Sequence, residues 1–210
     1  MRLPLAPRLL LLAAAIALLA SPPAGGDDRV IVVLGDSLTA GLGVDAEEAY
    51  PALLQTRLRR EGFAYRIVNA GVSGDTTAGA VRRLDWVLRA HPAIVVVALG
   101  ANDGLRGLPV TAMRDNLVLI VTRLQASGAR VLLAGMRLPP NYGEAYTREF
   151  AEAFRAVARQ TSVPLVPFLL EGVAGDARLN QADGIHPNAA GQRVVAERLW
   201  PAIRPLLRGG

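Results

Sequence analysis

The chain predicts an α/β fold of three layers, a doubly wound sheet of about five parallel strands with helices on both faces. Three observations predict it. Short β-branched or apolar runs alternate with longer amphipathic segments along most of the sequence. Such alternation calls for parallel strands joined by right-handed helical crossovers. One run, Ile94 to Leu99, is apolar without a break, the pattern of a strand buried on both faces. And 210 residues without a cysteine suit one domain with a core large enough to need no disulfide staple.

The elements follow in order. Arg2 and Arg8 precede an apolar run from Leu9 to Ala20, and Ser21 to Gly26 is small and turn-forming. A charged start, a short apolar stretch and a small-residue exit describe a secretory signal peptide over 1–24, cleaved near 20–26. The apolar run is shorter than the roughly 20 residues of a membrane span. A single domain is expected over 27–208. Val30 to Leu34 is the first strand and ends at Gly35. Tyr50 to Glu61 has helical spacing, with Leu53, Leu54 and Leu58 on one face. Arg66 to Val68 is a brief second strand. Thr76 to Ala90 is a helix with an apolar stripe of Val81, Leu84 and Leu88, and Asp75 is its expected N-cap. Ile94 to Leu99 is the third strand. Thr111 to Ser127 is helical and stops at Gly128. Val131 to Ala134 is the fourth strand, Glu144 to Thr161 a helix, Pro164 to Val166 a short fifth strand, and Ala189 to Leu207 a last helix broken near Pro201.

Composition removes several function classes. The net charge is +5 and all 23 basic residues are arginine, but they occur in pairs such as Arg59-Arg60 and Arg82-Arg83 on helix faces. There is no basic stripe interleaved with aromatics, so no nucleic-acid partner is expected. The absence of cysteine excludes thiolate zinc sites, a cysteine nucleophile and a lipid-modified cysteine. No histidine or carboxylate cluster has metal-ligand spacing, and no glycine-rich loop matches a phosphate cradle. The expectation is no metal and no cofactor, no stable membrane span once the leader is removed, and a monomer acting on a small molecule.

Three segments follow predicted strands or precede a helix and carry reactive groups. Gly35-Asp36-Ser37-Leu38 offers a hydroxyl, Gly100-Ala101-Asn102-Asp103 an amide donor, and Asp183-Gly184-Ile185-His186-Pro187 a carboxylate and an imidazole three residues apart. Sites in open parallel sheets gather at the carboxyl edge of the strands, where these segments fall. A serine hydroxyl attacks a carbonyl once a base takes its proton, and the chain has only two histidines. His91 stands before Pro92 at a strand entrance and reads as structural or exposed. His186 is the candidate base, with Asp183 placed to fix its tautomer. Gly74 can offer a backbone N–H just ahead of a helix. Each feature also has an ordinary use: Ser37 as a helix cap, Asp183 or Asn188 as the cap of the last helix, Asn102 and Gly74 as turn residues. Asp36, Asp75 and Asp103 read as caps or supports.

Taken together, these segments resemble the SGNH (GDSL-type) hydrolase superfamily, and closely its periplasmic multifunctional thioesterase/lysophospholipase/arylesterase branch. The resemblance covers roughly residues 29 to 205. Gly35-Asp36-Ser37-Leu38-Thr39-Ala40-Gly41 is similar to the first block, Ser73-Gly74-Asp75-Thr76 to the second, Leu99-Gly100-Ala101-Asn102-Asp103-Gly104 to the third and Asp183-Gly184-Ile185-His186-Pro187-Asn188 to the last. Arg137-Leu138-Pro139-Pro140-Asn141-Tyr142-Gly143 is similar to a loop of the same branch. The resemblance implies a flavodoxin-like sheet, a nucleophile at Ser37, an acid–base pair at Asp183 and His186, and an oxyanion hole from the N–H groups of Ser37 and Gly74 and the Asn102 side chain. It implies a periplasmic or secreted esterase/thioesterase that hydrolyses acyl esters, acyl thioesters and lysophospholipids through an acyl-enzyme.

An acyl chain needs an apolar groove. By placement after the third and fourth strands, Leu105, Leu108, Pro109, Leu138, Pro139 and Tyr142 are the expected borders. Two other readings stay open: a carbohydrate acetylesterase of the same superfamily, and a non-catalytic secreted binding module on the same fold.

Overall fold

A computed structural model gives the structure of the protein and describes residues 29–207. The leader expected over 1–24 lies outside the described residues.

Five strands form one parallel sheet in the order β2-β1-β3-β4-β5. They are β1 (Arg29–Gly35), β2 (Tyr65–Gly71), β3 (Ile94–Ala98), β4 (Arg130–Ala134) and β5 (Leu165–Val166). The helices are α1 (Ser37–Ala40), α2 (Tyr50–Arg60), α3 (Thr77–Leu88), α4 (Ala101–Leu105), α5 (Val110–Ala126), α6 (Glu144–Thr161) and α7 (Ala189–Ile203). Helix α2 packs with α7, while α3, α5 and α6 pack in sequence. The result is the flavodoxin-like strand order, in which the chain leaves β1 in one direction and returns past it in the other.

The central strands are dry. Ile31 to Leu34 of β1 and Ile94 to Val97 of β3 are fully buried. Each such side chain contributes roughly 1.5–3 kcal/mol on leaving water, so the middle of the sheet anchors everything attached to its ends.

Strand register decides what meets at those ends. Gly35 lies level with Gly71 of β2 and with Ala98 of β3. The residues that follow each strand therefore leave the sheet side by side: Asp36-Ser37 after β1, Val72 to Gly74 after β2, Leu99 to Asn102 after β3. Gly35 has no room for a side chain, because a Cβ there would strike the Thr39 hydroxyl and press on the Ala98 carbonyl. This close approach lets the chain turn from β1 straight into α1.

A buried polar cluster fixes α1 from behind. Thr39 Oγ1 and the Tyr50 hydroxyl are 2.6 Å apart. Gln192 of α7 accepts from Tyr50 N at 2.9 Å and donates to the Leu38 carbonyl at 3.4 Å. One turn of helix is too short to be stable alone, so these bonds and the cap at Asp36 hold it.

Several local expectations shift. α1 and α4 were not foreseen; both are about one turn long and show no readable period. Thr76 rather than Asp75 caps α3, its hydroxyl accepting from Gly79 N at 3.2 Å. The Asp75 carboxylate pairs with Arg83 instead, at 2.7 Å. The last helix runs through Pro201 and changes to a 3₁₀ turn only at Arg204. Asn188 caps that helix, accepting from Ala190 N and Gly191 N, so Pro187 stands just outside it.

Candidate active site

Ser37 opens α1 at the carboxyl end of β1. The Asp36 carboxylate caps this turn, its Oδ1 accepting from Leu38 N at 3.0 Å. Ser37 Oγ lies 2.9 Å from His186 Nε2, across 149 residues of sequence. His186 Nδ1 lies 2.6 Å from Asp183 Oδ2. An ionised carboxylate only accepts, so Nδ1 carries the proton and Nε2 faces the serine as acceptor. The other Asp183 oxygen accepts from Ile185 N at 2.9 Å and His186 N at 3.0 Å.

These bonds set the charge of Asp183. The backbone N–H groups of His186 and Ile185, followed by the imidazole, hold its carboxyl down at about 2. Asp36 is pushed the opposite way. Burial raises it to about 6, against the opposing pull of the Leu38 N–H and of the His186 charge.

His186 sits on a loop rather than on a helix or strand. Asn180 and Pro187 form an isolated antiparallel bridge, Gln181 N donates to the His186 carbonyl at 2.8 Å, and Asn188 N donates to Leu179 O at 2.9 Å. Gln181 also donates from its side chain to Leu42 O at 2.7 Å, tying the loop to the segment after α1.

The donors gather on the other side of Ser37. Asn102 is the second residue of α4, reached from β3 through Gly100 at φ +109°. Its side-chain Nδ2 donates to Asp75 O at 3.0 Å and approaches Asp36 Oδ2 at 3.4 Å, the long end for such a bond. Gly74 has φ +77°, a conformation that suits glycine, and its carbonyl accepts from Arg106 at 2.7 Å. That bond turns the Gly74 carbonyl toward the guanidinium. The N–H groups of Ser37 and Gly74 have no acceptor among the described residues.

Ser37, Gly74, Asn102 and His186 all line one groove of about 700 Å³. Of the residues expected to border it, Leu105, Leu138 and Pro139 do so; Leu108, Pro109 and Tyr142 stand outside. Leu108 is exposed, with its carbonyl held by the Tyr146 hydroxyl at 2.9 Å. Pro109 starts α5. Tyr142 buttresses the wall from behind, its hydroxyl donating to Leu105 O at 3.0 Å. The remaining apolar wall is Leu38, Leu42, Met136, Phe168, Leu170 and Ile185. Leu42 and Ile185 neighbour the reactive segments in sequence, and Phe168 and Leu170 follow β5, so the rule used for the third and fourth strands reaches them when applied to the fifth. His91 is exposed on the far side of β3 from these segments and takes no part.

Residues 33–194 match the GDSL-like Lipase/Acylhydrolase family. The chain belongs to that family. Among GDSL relatives, the esterase TesA of Pseudomonas aeruginosa is 48% identical over 85% of this chain and 90% of its own length. The Thioesterase 1/protease 1/lysophospholipase L1 of Escherichia coli K12 is 38% identical over 84% of each chain. A solved structure of TesA superposes with a TM-score of 0.83 at 48% identity, covering 85% of this chain and 99% of that one. The psychrotrophic esterase EstA from Pseudoalteromonas, inhibited by monoethylphosphonate in its crystal, superposes at 0.82 with 38% identity, over 87% of this chain and all of that one.

Proposed function

We propose that this GDSL-family protein is a serine esterase/thioesterase that works through an acyl-enzyme on Ser37. What carries the reading is the unbroken relay from Ser37 Oγ to His186 Nε2 at 2.9 Å and from His186 Nδ1 to Asp183 at 2.6 Å, at the edge of an apolar groove. The names of the relatives, esterase and thioesterase, support the same class.

The chemistry follows from the geometry. As Ser37 Oγ bonds to the substrate carbonyl carbon, its proton passes to His186 Nε2, and the ionised Asp183 stabilises the imidazolium. The carbonyl oxygen becomes an oxyanion facing the two uncommitted N–H groups and the Asn102 amide. Collapse breaks the bond to the alcohol or thiol, which takes the proton from His186. Water then gives a proton to the same nitrogen as it attacks the acyl carbon; the bond to Ser37 Oγ breaks, Ser37 takes that proton back from His186, and the acid leaves.

The groove takes an acyl chain, which favours medium-chain esters, acyl thioesters and lysophospholipids over acetylated sugars. One chain supplies every group of the site, so catalysis needs no residue from a second copy. The 1–24 leader directs a single domain, 27–208, to the periplasm or beyond, and no described helix is long and apolar enough to cross a membrane.

A series of p-nitrophenyl esters of increasing chain length, with one acyl thioester, tests this. Turnover is expected to rise beyond the acetyl ester, and Ser37→Ala to lower kcat by about 10⁴–10⁶. A Ser37→Ala variant that keeps wild-type turnover would overturn the reading. A preference for acetyl esters alone would favour the acetylesterase.

A further inference from the structure

One cation stands behind the site without touching the groove. Arg83 lies on α3, largely shielded from solvent, with 19% of its side chain exposed. Its guanidinium makes three bonds in three directions. Nε donates to Asp75 Oδ2 at 2.7 Å. One terminal nitrogen donates to the Ala70 carbonyl of β2 at 2.8 Å, and the other to the Gly35 carbonyl of β1 at 3.0 Å.

Each acceptor belongs to a different part of the machinery. Gly35 immediately precedes Asp36 and Ser37. Ala70 is the next-to-last residue of β2, from whose end the Gly74 loop departs. Asp75 follows Gly74, and its own carbonyl accepts the Asn102 amide at 3.0 Å. Asp75 is also held from its other oxygen by Thr76 N at 3.1 Å. The guanidinium thus joins the strand that bears Ser37 to the loop that bears one of the three donors, Gly74, and whose Asp75 carbonyl holds a second, Asn102.

We propose that Arg83 is a positioning residue that sets the width of the oxyanion hole by clamping the end of β1 to the Gly74–Asp75 loop. The inference rests on the functional reading above. The fork of an arginine is rigid and planar and can hold three acceptors at once; an ammonium is a compact point charge on a flexible stem. A lysine at this position keeps the charge beside Asp75 but cannot span both carbonyls in the same geometry. The hole must match an oxyanion that exists only in the transition state, so widening it lowers kcat more than it raises KM.

The test measures kcat and KM on a p-nitrophenyl ester, and Ki for a trifluoromethyl ketone that adds to the serine as a tetrahedral oxyanion mimic. It uses the wild type, Arg83→Lys and Arg83→Ala. Both variants are expected to lose about 10–100-fold in kcat with KM within about threefold, and Ki is expected to rise in step with the loss of kcat/KM. Millimolar guanidinium is expected to recover part of the kcat of Arg83→Ala and none of that of the wild type. A merely structural role would lower the melting temperature without this split and without rescue.

If Arg83→Ala does not fold, Arg83→Lys decides through the kcat and Ki measurements. Folded variants with kcat near wild type, or with kcat lost while Ki is unchanged, overturn the clamp and leave the functional reading intact. A wild type without turnover overturns both.

Discussion

Two aspartates bracket the Ser37–His186 pair, and their environments are opposite. Asp36 is buried at the end of β1, and burial raises its carboxyl to about 6. Asp183 lies on an exposed loop, and three N–H groups hold its carboxyl at about 2. The same side chain is made hard to ionise in one place and hard to protonate in the other. The division follows the construction of the site. Asp36 and Ser37, the proposed nucleophile, sit at the end of a fully buried central strand, where charge is penalised. Asp183 and His186, the proposed acid–base pair, ride on a loop bound by one isolated bridge, where backbone N–H groups meet the carboxylate and water screens what they leave. Only the second aspartate is suited to stabilise an imidazolium throughout the neutral range.

That contrast breaks most visibly at Asp183. Asp183→Asn keeps the size and removes the charge. Its amide can donate to Nδ1, which moves the proton to Nε2 and leaves no acceptor for the Ser37 hydroxyl. We expect kcat to fall by about 10³–10⁴ with the fold intact by circular dichroism. A loss under about tenfold would mean that the exposed carboxylate does not orient the base.

The rigid side is tested at Asn102. One amide N–H is held by Asp75 O at 3.0 Å and the other makes only the long 3.4 Å approach to Asp36, so meeting an oxyanion means exchanging that one weak contact. Asn102→Ala should lower kcat by about 10²–10³ and leave KM nearly unchanged. A change confined to KM would make Asn102 a ground-state binding residue and would shift the burden to the two backbone N–H groups.

How much of this was legible in the sequence follows the same division. The central strands were readable because both faces are buried, so Ile94 to Val97 had to be apolar throughout. The reactive segments were readable because each directly follows a strand or leads into a long helix. Their meeting was not written locally: the Ser37–His186 contact spans 149 residues and depends on strand register and on the bridge at Asn180 and Pro187. Shorter signals were lost. Asp75 and Thr76 are both good caps, and the ion pair with Arg83, eight residues on, decided between them. The groove was half-read, because position after a strand says where a residue is and not which way its side chain points. Leu105 and Leu138 face the groove, whereas Tyr142 turns its hydroxyl to the back of the Leu105 wall. Phe168 and Leu170 follow the fifth strand, and the same placement rule reaches them once it is carried past the third and fourth.

The smallest effect concerns stability, and it sharpens the contrast from the side of Asp36. Its carboxyl titrates near 6 in the folded protein against 3.8 in the open chain. Between those values the native state holds the extra proton, so this site's contribution to stability falls as pH rises from about 4 to about 6 and stays low above. Two units correspond to about 3 kcal/mol as an upper bound. Asp36→Asn keeps an oxygen to accept from Leu38 N and removes the charge. Thermal denaturation should therefore show the variant more stable than wild type at pH 8, by up to about 3 kcal/mol, with the gain fading toward pH 4. The His186 charge that opposes the rise in Asp36 loses its partner in the variant, so kcat should fall severalfold as stability grows. An equal gain at both pH values would place the effect in packing rather than in the buried charge, and the two aspartates would then differ in exposure alone.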